Sequence, residues 1–297
     1  MEKRLTIDSR LVGVPWKTAT RHIGWRQTTN YAAATHDMNP LYVDDEREEG
    51  IIAPPMFAVT LGWPIGRKIR NYIDVPYSRE ALNRDVHYTE YIEFHQPMKP
   101  GEDGLELVIQ PMIHAIIPQR AGTNVVYKYE VRDTAGTLYH TEYNGTLLRG
   151  VECTDSGKGT LPFVPPPPNP DQVLWERRIH IDQEQTYIYD AATDIVFAIH
   201  TSPKYARSVD LPTILVTGTY TIAVGVREMI NRELQGDASL VKAINAKLTS
   251  MIFPNTDIIV QMVDRVESEA FIELHYRILN QNGAVALNKG YVKALKK

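Results

Sequence analysis

The segment GKGTLPFVPPPPNPDQ, residues 157–172, constrains the fold more than any other, because six of its residues between Pro162 and Pro170 are prolines. Proline lacks the amide hydrogen that helices and central strands need, so neither element can run through such a stretch. It favours extended polyproline geometry and acts as a semi-rigid spacer. The chain therefore reads as two bodies, residues 1–150 and 175–297, joined by a linker over 151–174. At 297 residues, with 43% hydrophobic and 23% charged content, it has the material for a substantial core.

The two sides are written in the same order. Before the linker, WRQTTNYAAATHD predicts a short helix, and PPMFAVTLGWPIGRKIRNYI a longer one after a polar loop. Strand character follows at DVHYTEYIEFHQPM, LELVIQPMIHAII, TNVVYKYEVRD and LYHTEYNGTLLRG. Their β-branched and aromatic content and the turns between them predict an antiparallel meander. After the linker, DQEQTYIYDAATD is the short helix and TGTYTIAVGVREMINREL the longer one. KLTSMIFPN, DIIVQMVDRV, AFIELHYRIL and VALNKGYVKAL then have strand character. Twice over, an apolar long helix precedes a sheet that wraps it, which is an α+β layer arrangement.

Several function classes lack support. A net charge of −4 gives no reason to expect nucleic acid as a partner. No tract approaches the roughly 18 apolar residues of a membrane span, and the N-terminus is not signal-like. Cys153 is the only cysteine, which fits a reducing compartment, and a cytoplasmic protein is expected. His87, His95 and His114 read as isolated strand residues, and no His/Cys cluster has zinc-ligand spacing. Phosphate-binding GxGxxG and GxxxxGK[ST] patterns and the GxSxG elbow are also missing.

The candidate chemistry lies in ATDIVFAIHTSP, residues 192–203, where Asp194 and His200 stand six positions apart in an apolar stretch. Taken alone, the pair reads either as an acid/base couple or as a helix-ending aspartate followed by a packed histidine. Gly218 opens the second long helix, which needs either close packing or a bare amide there. Tyr187, Tyr189, Phe197, Tyr205 and Tyr220 read as core or pocket wall. GRKIRN, residues 66–71, reads as a solvated helix end or as a contact for an anionic ligand.

The first half's YAAATHDMNPLYVDD, GIIAPPMFA, YIEFHQPMKPGE and NGTLLRG resemble the N-terminal unit of MaoC-like hydratases and dehydratases. YDAATDIVFAIHTSPKYARSVDLPTILVTGTYTIAVG in the second half resembles the catalytic unit of that family. The resemblance implies a double hotdog, each half a sheet around a long helix. It also implies an intrachain pseudo-dimer that leaves room for a homodimer. The implied reaction is reversible addition of water across a 2-enoyl-CoA double bond, giving a 3-hydroxyacyl-CoA, with coenzyme A as part of the substrate and no separate cofactor.

That chemistry needs a base for water, a proton source for the α-carbon, and a donor for the charge developing on the thioester oxygen. By position the resemblance gives the first two roles to Asp194 and His200 and the third to the amide of Gly218. Lys204, Tyr205, Arg207 and Thr217 become substrate contacts. The family's Asp-x-Asn-Pro-x-His spacing is lengthened here by one residue, with Val196 and Phe197 in place of Asn and Pro. In the first half Asp37, Asn39 and Pro40 keep that spacing, but Tyr42 stands in place of the histidine, and a phenol is a poor base at neutral pH. His36 is not expected to substitute, because adjacent helix residues face different ways. The first half is expected to accommodate the acyl chain without catalysis. Two further readings stay open: a non-catalytic acyl-thioester-binding subunit, and a dehydratase acting on carrier-protein thioesters.

Overall fold

A computed structural model describes residues 4–297. Before the linker come strands β1 (Thr6–Ile7), β2 (Ala19–Ile23), β3 (Asp85–Phe94), β4 (Leu105–Gln119), β5 (Gly122–Asp133), β6 (Leu138–Arg149) and β7 (Glu152–Cys153). The helices there are α1 (Trp25–Ala34), α2 (Pro40–Val43), α3 (Val59–Arg67) and α4 (Arg79–Leu82). After it come β8 (Trp175–Ile181), β9 (Val241–Leu248), β10 (Thr256–Glu267), β11 (Phe271–Leu279) and β12 (Val285–Leu295). They are accompanied by α5 (Gln185–Thr193), α6 (Pro203–Ser208) and α7 (Gly218–Glu233).

Ten strands form one sheet in the order β2-β4-β5-β6-β3-β9-β12-β11-β10-β8. Every neighbouring pair in it is antiparallel. Read inward from either edge the succession is the same, with β2, β4, β5, β6 and β3 matched by β8, β10, β11, β12 and β9. The duplicated order of the sequence is thus a duplicated topology. The halves join where β3 pairs with β9, Tyr91 facing Asn245 and Ile92 facing Ile244.

Each half wraps its sheet around a helix. In α7 the run Thr219–Ile230 is buried throughout, as expected of a helix covered on all sides. The charged exceptions in that run are paired: Arg177 and Arg227 both donate to Glu228, at 2.8 and 2.9 Å. Arg227 also donates to the Thr35 carbonyl at 2.8 Å, tying α7 to the first half.

The structure departs from the sequence expectations in three places. The first long helix is broken: 3₁₀ turns at Pro55–Ala58 and Ile69–Asn71 flank α3, and Pro64 removes a hydrogen bond inside it. KLTSMIFPN is strand only through Leu248, and its remainder is irregular. There Ile252 accepts from the Val216 amide at 3.0 Å and so steers the approach to α7. Finally, β2 and β8 escape the sequence reading because ATRHI and WERRIHI are edge strands, where charged side chains guard against further pairing.

The linker lies against both halves. Lys158 exchanges backbone hydrogen bonds with Ile116 of β4, and the Asn169 amide donates to Asp264 of β10 at 2.9 Å. Phe163 between them is 85% exposed. No helix among the described residues is long and apolar enough to cross a membrane.

Candidate active site

The loop carrying the predicted pair begins where α5 ends. Asp194 caps α5 in the left-handed region at φ 54°, and its side chain points to solvent. Ile195 is buried and anchors the turn, Val196 is exposed, and Ala198–His200 form a 3₁₀ turn. Ser202 then caps α6, accepting from the Tyr205 amide at 3.2 Å.

His200 is held by one decisive bond. Its Nδ1 lies 2.9 Å from the carbonyl oxygen of Leu215, and the Leu215 amide returns a bond to Ile199 at 3.1 Å. A carbonyl only accepts, so Nδ1 carries the proton and Nε2 keeps its lone pair. Burial, and after it the nearby Arg67 guanidinium, lower the imidazole's pKa. The ring is therefore neutral at physiological pH, with Nε2 free to accept a proton.

Three residues beyond Leu215, Gly218 opens α7. The Thr217 side chain does not cap the helix, which leaves the first-turn amides and the positive end of the helix dipole bare. A Cβ at position 218 would lie 2.4 Å from Leu248 Cδ1 and 3.3 Å from Nδ1 of His87. The glycine thus packs closely against Leu248 and His87 at a helix start that no side chain caps.

The first half supplies the opposite wall. The Arg67 guanidinium lies 4.6 Å from the Phe197 ring centroid and pairs with Asp85 at 2.5 Å. Phe197 in turn meets His200 and Tyr205 edge-on, at 6.0 and 5.9 Å between centroids. A cavity of about 260 Å³ opens beside this stack, with Arg67, Lys68 and Arg79 at its rim and Trp63, Tyr129, Asn144 and Thr146 on its walls. The GRKIRN segment thus borders the site through Arg67 and Lys68, while Arg70 is spent on the carbonyls of Val75 and Tyr77. Lys204 and Arg207 are exposed on α6 and make no ion pair among the described residues.

Not every predicted residue is gathered here. His200, Phe197, Tyr205 and Arg67 form one stack, and Gly218, preceded by the N-cap Thr217, lies beside His87. Asp194 stays on its exposed turn, without a hydrogen bond to His200 among the described residues. The partly buried carboxyl nearby is Asp190 in α5, raised in pKa by burial and then by Asp194.

Sequence reasoning missed a polar cluster on β3 and β6. His87 Nε2 lies 3.1 Å from Glu90 Oε2, which also accepts from Asn144 at 2.9 Å. In a regular strand residues 87 and 90 would face opposite ways. A bulge between His87 and Thr89 puts both on the inner face, and nothing in DVHYTEY announces it.

In the first half the pattern Asp37-x-Asn39-Pro40 builds a matching loop at the far end of α7. Asn39 accepts from the Leu41 amide at 3.0 Å and donates to the Gly236 carbonyl at 2.7 Å. Tyr42 is fully buried, its hydroxyl without a partner among the described residues, and burial raises Asp37 to about 6. His36 has left the helix at φ 51° and bonds Gln185, so conformation rather than helix geometry keeps it from acting with Asp37.

Comparison with known proteins agrees with this duplicated architecture. Residues 167–277 match the MaoC like domain family, and residues 10–138 match the FAS1-like, dehydratase domain region. The chain is a MaoC-like double hotdog. Its fold is shared with a MaoC-like dehydratase from Phytophthora capsici, at 20% identity and a TM-score of 0.82 over 97% of this chain and 98% of that one. The peroxisomal multifunctional enzyme type 2 of Drosophila melanogaster is 19% identical with a TM-score of 0.74, over 95% of this chain and 48% of that one. A double-hotdog protein of Mycobacterium tuberculosis aligns at 11% identity and a TM-score of 0.57, over 94% of this chain and 96% of that one. A search among curated protein sequences finds no match. In this MaoC-like chain the second half carries the histidine loop and the first half the wall facing it.

Proposed function

We propose that the protein is a hydro-lyase that adds water reversibly to 2-enoyl-CoA thioesters, giving (R)-3-hydroxyacyl-CoA. The observation that carries this reading is the locked tautomer of His200, which presents a neutral Nε2 acceptor near the uncapped start of α7.

In the hydration direction Nε2 takes a proton from water as the oxygen bonds to the β-carbon. The π electrons move toward the thioester oxygen, where the Gly218 amide and the helix dipole stabilise the enolate. The α-carbon then takes a proton from the His200 imidazolium, the thioester carbonyl re-forms and the neutral imidazole is restored. Asp194 is the second proton-handling group in this reading, reaching the water by rotation of its exposed side chain. Thr217 borders the oxyanion position. Lys204, Arg207 and Tyr205, with Lys68 across the cavity rim, suit the anionic coenzyme A handle, and a KM that rises with salt checks that assignment.

His200→Ala is expected to lower kcat/KM for crotonyl-CoA hydration by about 10²–10⁴-fold, the usual worth of a positioned acid/base, with circular dichroism unchanged. Turnover equal to that of the unaltered protein would overturn the reading. Asp194→Asn in the same assay measures the share of that carboxylate. The exposure of Asp194 favours one other reading, a binding subunit. Acyl-CoA binding with no hydration of crotonyl, branched or carrier-protein enoyl thioesters would select it.

A further inference from the structure

We infer that the acyl group this protein accepts is short and carries a neutral hydrogen-bonding group, such as a hydroxyl, which docks on a buried polar patch of the first half's sheet. The inference rests on the functional reading above for the position of the thioester.

The patch is built across β5, β6 and β3. Glu90 faces Asn144, His87 faces Thr146, and Glu142 faces Tyr129 in register, so their side chains share the face turned toward α3. Glu90 and Glu142 are fully buried. Four of the patch's polar atoms have no partner among the described residues: Nδ1 of His87, Oε1 of Glu90, and both carboxyl oxygens of Glu142. Buried polar groups are normally hydrogen-bonded, so a concentration of orphans beside a cavity points to a ligand that completes them.

Geometry ties the patch to the reaction site from two sides. His87 abuts Gly218, where a Cβ would stand 3.3 Å from its Nδ1. Arg67 packs on Phe197, next to His200, and borders the cavity whose inner walls include Tyr129, Asn144 and Thr146. A thioester with its carbonyl at the Gly218 amide and its coenzyme A directed past Arg67 and Lys68 turns its acyl end onto this patch. The cavity of about 260 Å³ suits a short chain.

The chemistry of the patch selects the ligand class. Burial pushes both carboxyls above the ordinary range, and in Glu142 the neighbouring Glu90 adds to the effect. They act as neutral donors and acceptors, and a substrate carboxylate would bring a third acid to the same wall. A methyl group set against them leaves the orphans unpaired, whereas a hydroxyl can both donate and accept.

The test uses isosteric pairs: 4-hydroxy-2-butenoyl against 2-pentenoyl, 5-hydroxy-2-pentenoyl against 2-hexenoyl, and 6-hydroxy-2-hexenoyl against 2-heptenoyl, all as coenzyme A thioesters. In at least one pair the hydroxylated member is expected to have a kcat/KM about 10- to 100-fold higher. Glu142→Met should remove most of that ratio and Thr146→Val part of it; comparing ratios within each variant cancels any loss of folded protein. Alkyl members equal or better in all three pairs would overturn the inference, as would a ratio that Glu142→Met leaves unchanged. If no enoyl thioester is hydrated, the functional reading fails separately. Calorimetric binding of 4-hydroxybutanoyl- against pentanoyl-CoA and 5-hydroxypentanoyl- against hexanoyl-CoA then decides: tighter hydroxyacyl binding supports the patch, and equal, reversed or undetectable binding sinks it.

Discussion

At Glu142 burial sets a cost that pH can expose. Its folded-state pKa lies above that of the unfolded chain, so the native state holds a proton that the unfolded state has released as pH rises past the ordinary carboxyl range. The associated stability is present at low pH and lost as pH rises toward the raised pKa. Glu142→Gln does not titrate, so its stability relative to the unaltered protein should grow with pH, by up to about 1.4 kcal/mol per pH unit. Thermal melts of both proteins at pH 5 and pH 8 check this, and a variant whose melting temperature falls relative to the parent's between pH 5 and pH 8 contradicts it. His87, lowered to about 4 by burial, works in the opposite sense and weakens the fold as pH falls below 6.5. Comparing the variant with its parent removes that contribution. Residues of this kind are hard to read from a sequence. His200 was legible because ordered motifs surround it, whereas His87 and Glu90 meet through a bulge, and Glu142 lies under α3 through pairing between strands distant in sequence.

Among the elements, the central helices show how duplication is written without obvious sequence identity. In α7 a Cβ at Gly225 would lie 2.3 Å from a ring carbon of Tyr276 on β11, and in α3 one at Gly62 would lie 2.7 Å from a ring carbon of Tyr129 on β5. These are equivalent helices and equivalent strands, so each half places one tyrosine ring beneath a helical glycine. Gly225→Ala sets two effects against each other. Alanine favours the helix by about 1 kcal/mol. The clash with a ring that is 2% exposed forces repacking that costs about 1–3 kcal/mol. The clash should win, and the variant should melt below the parent; a higher melting temperature would mean that Tyr276 has room to move. Propensity and periodicity made α7 and most strands legible, while the fine structure of α3 was not. Its apolar run predicts one helix, but Pro64 and the flanking turns divide it, and the resulting C-terminal turn is what carries Arg67 to Phe197.

For the whole molecule, the question is what the linker does beyond setting the order of the chain. The halves share one sheet through β3 and β9, and several buried or partly buried contacts cross between them. Gln185 donates to the Ala34 carbonyl at 2.6 Å, Arg227 to Thr35 at 2.8 Å and Asn39 to Gly236 at 2.7 Å. The Tyr31 and Tyr189 rings also meet edge-on at 5.8 Å. A proline run could be read as joining independent domains, but these contacts make each half part of the other's core. The candidate site is composite as well, with His200 and Gly218 from one half and Arg67 and His87 from the other. Exposed Phe163 offers a place to cut the connection without touching either sheet. Limited chymotryptic cleavage there should yield two fragments that co-elute on size exclusion and melt as one cooperative unit, because β3–β9 pairing persists when the chain is severed. Fragments that separate, or melt in two steps, would show that the linker holds together two self-sufficient bodies.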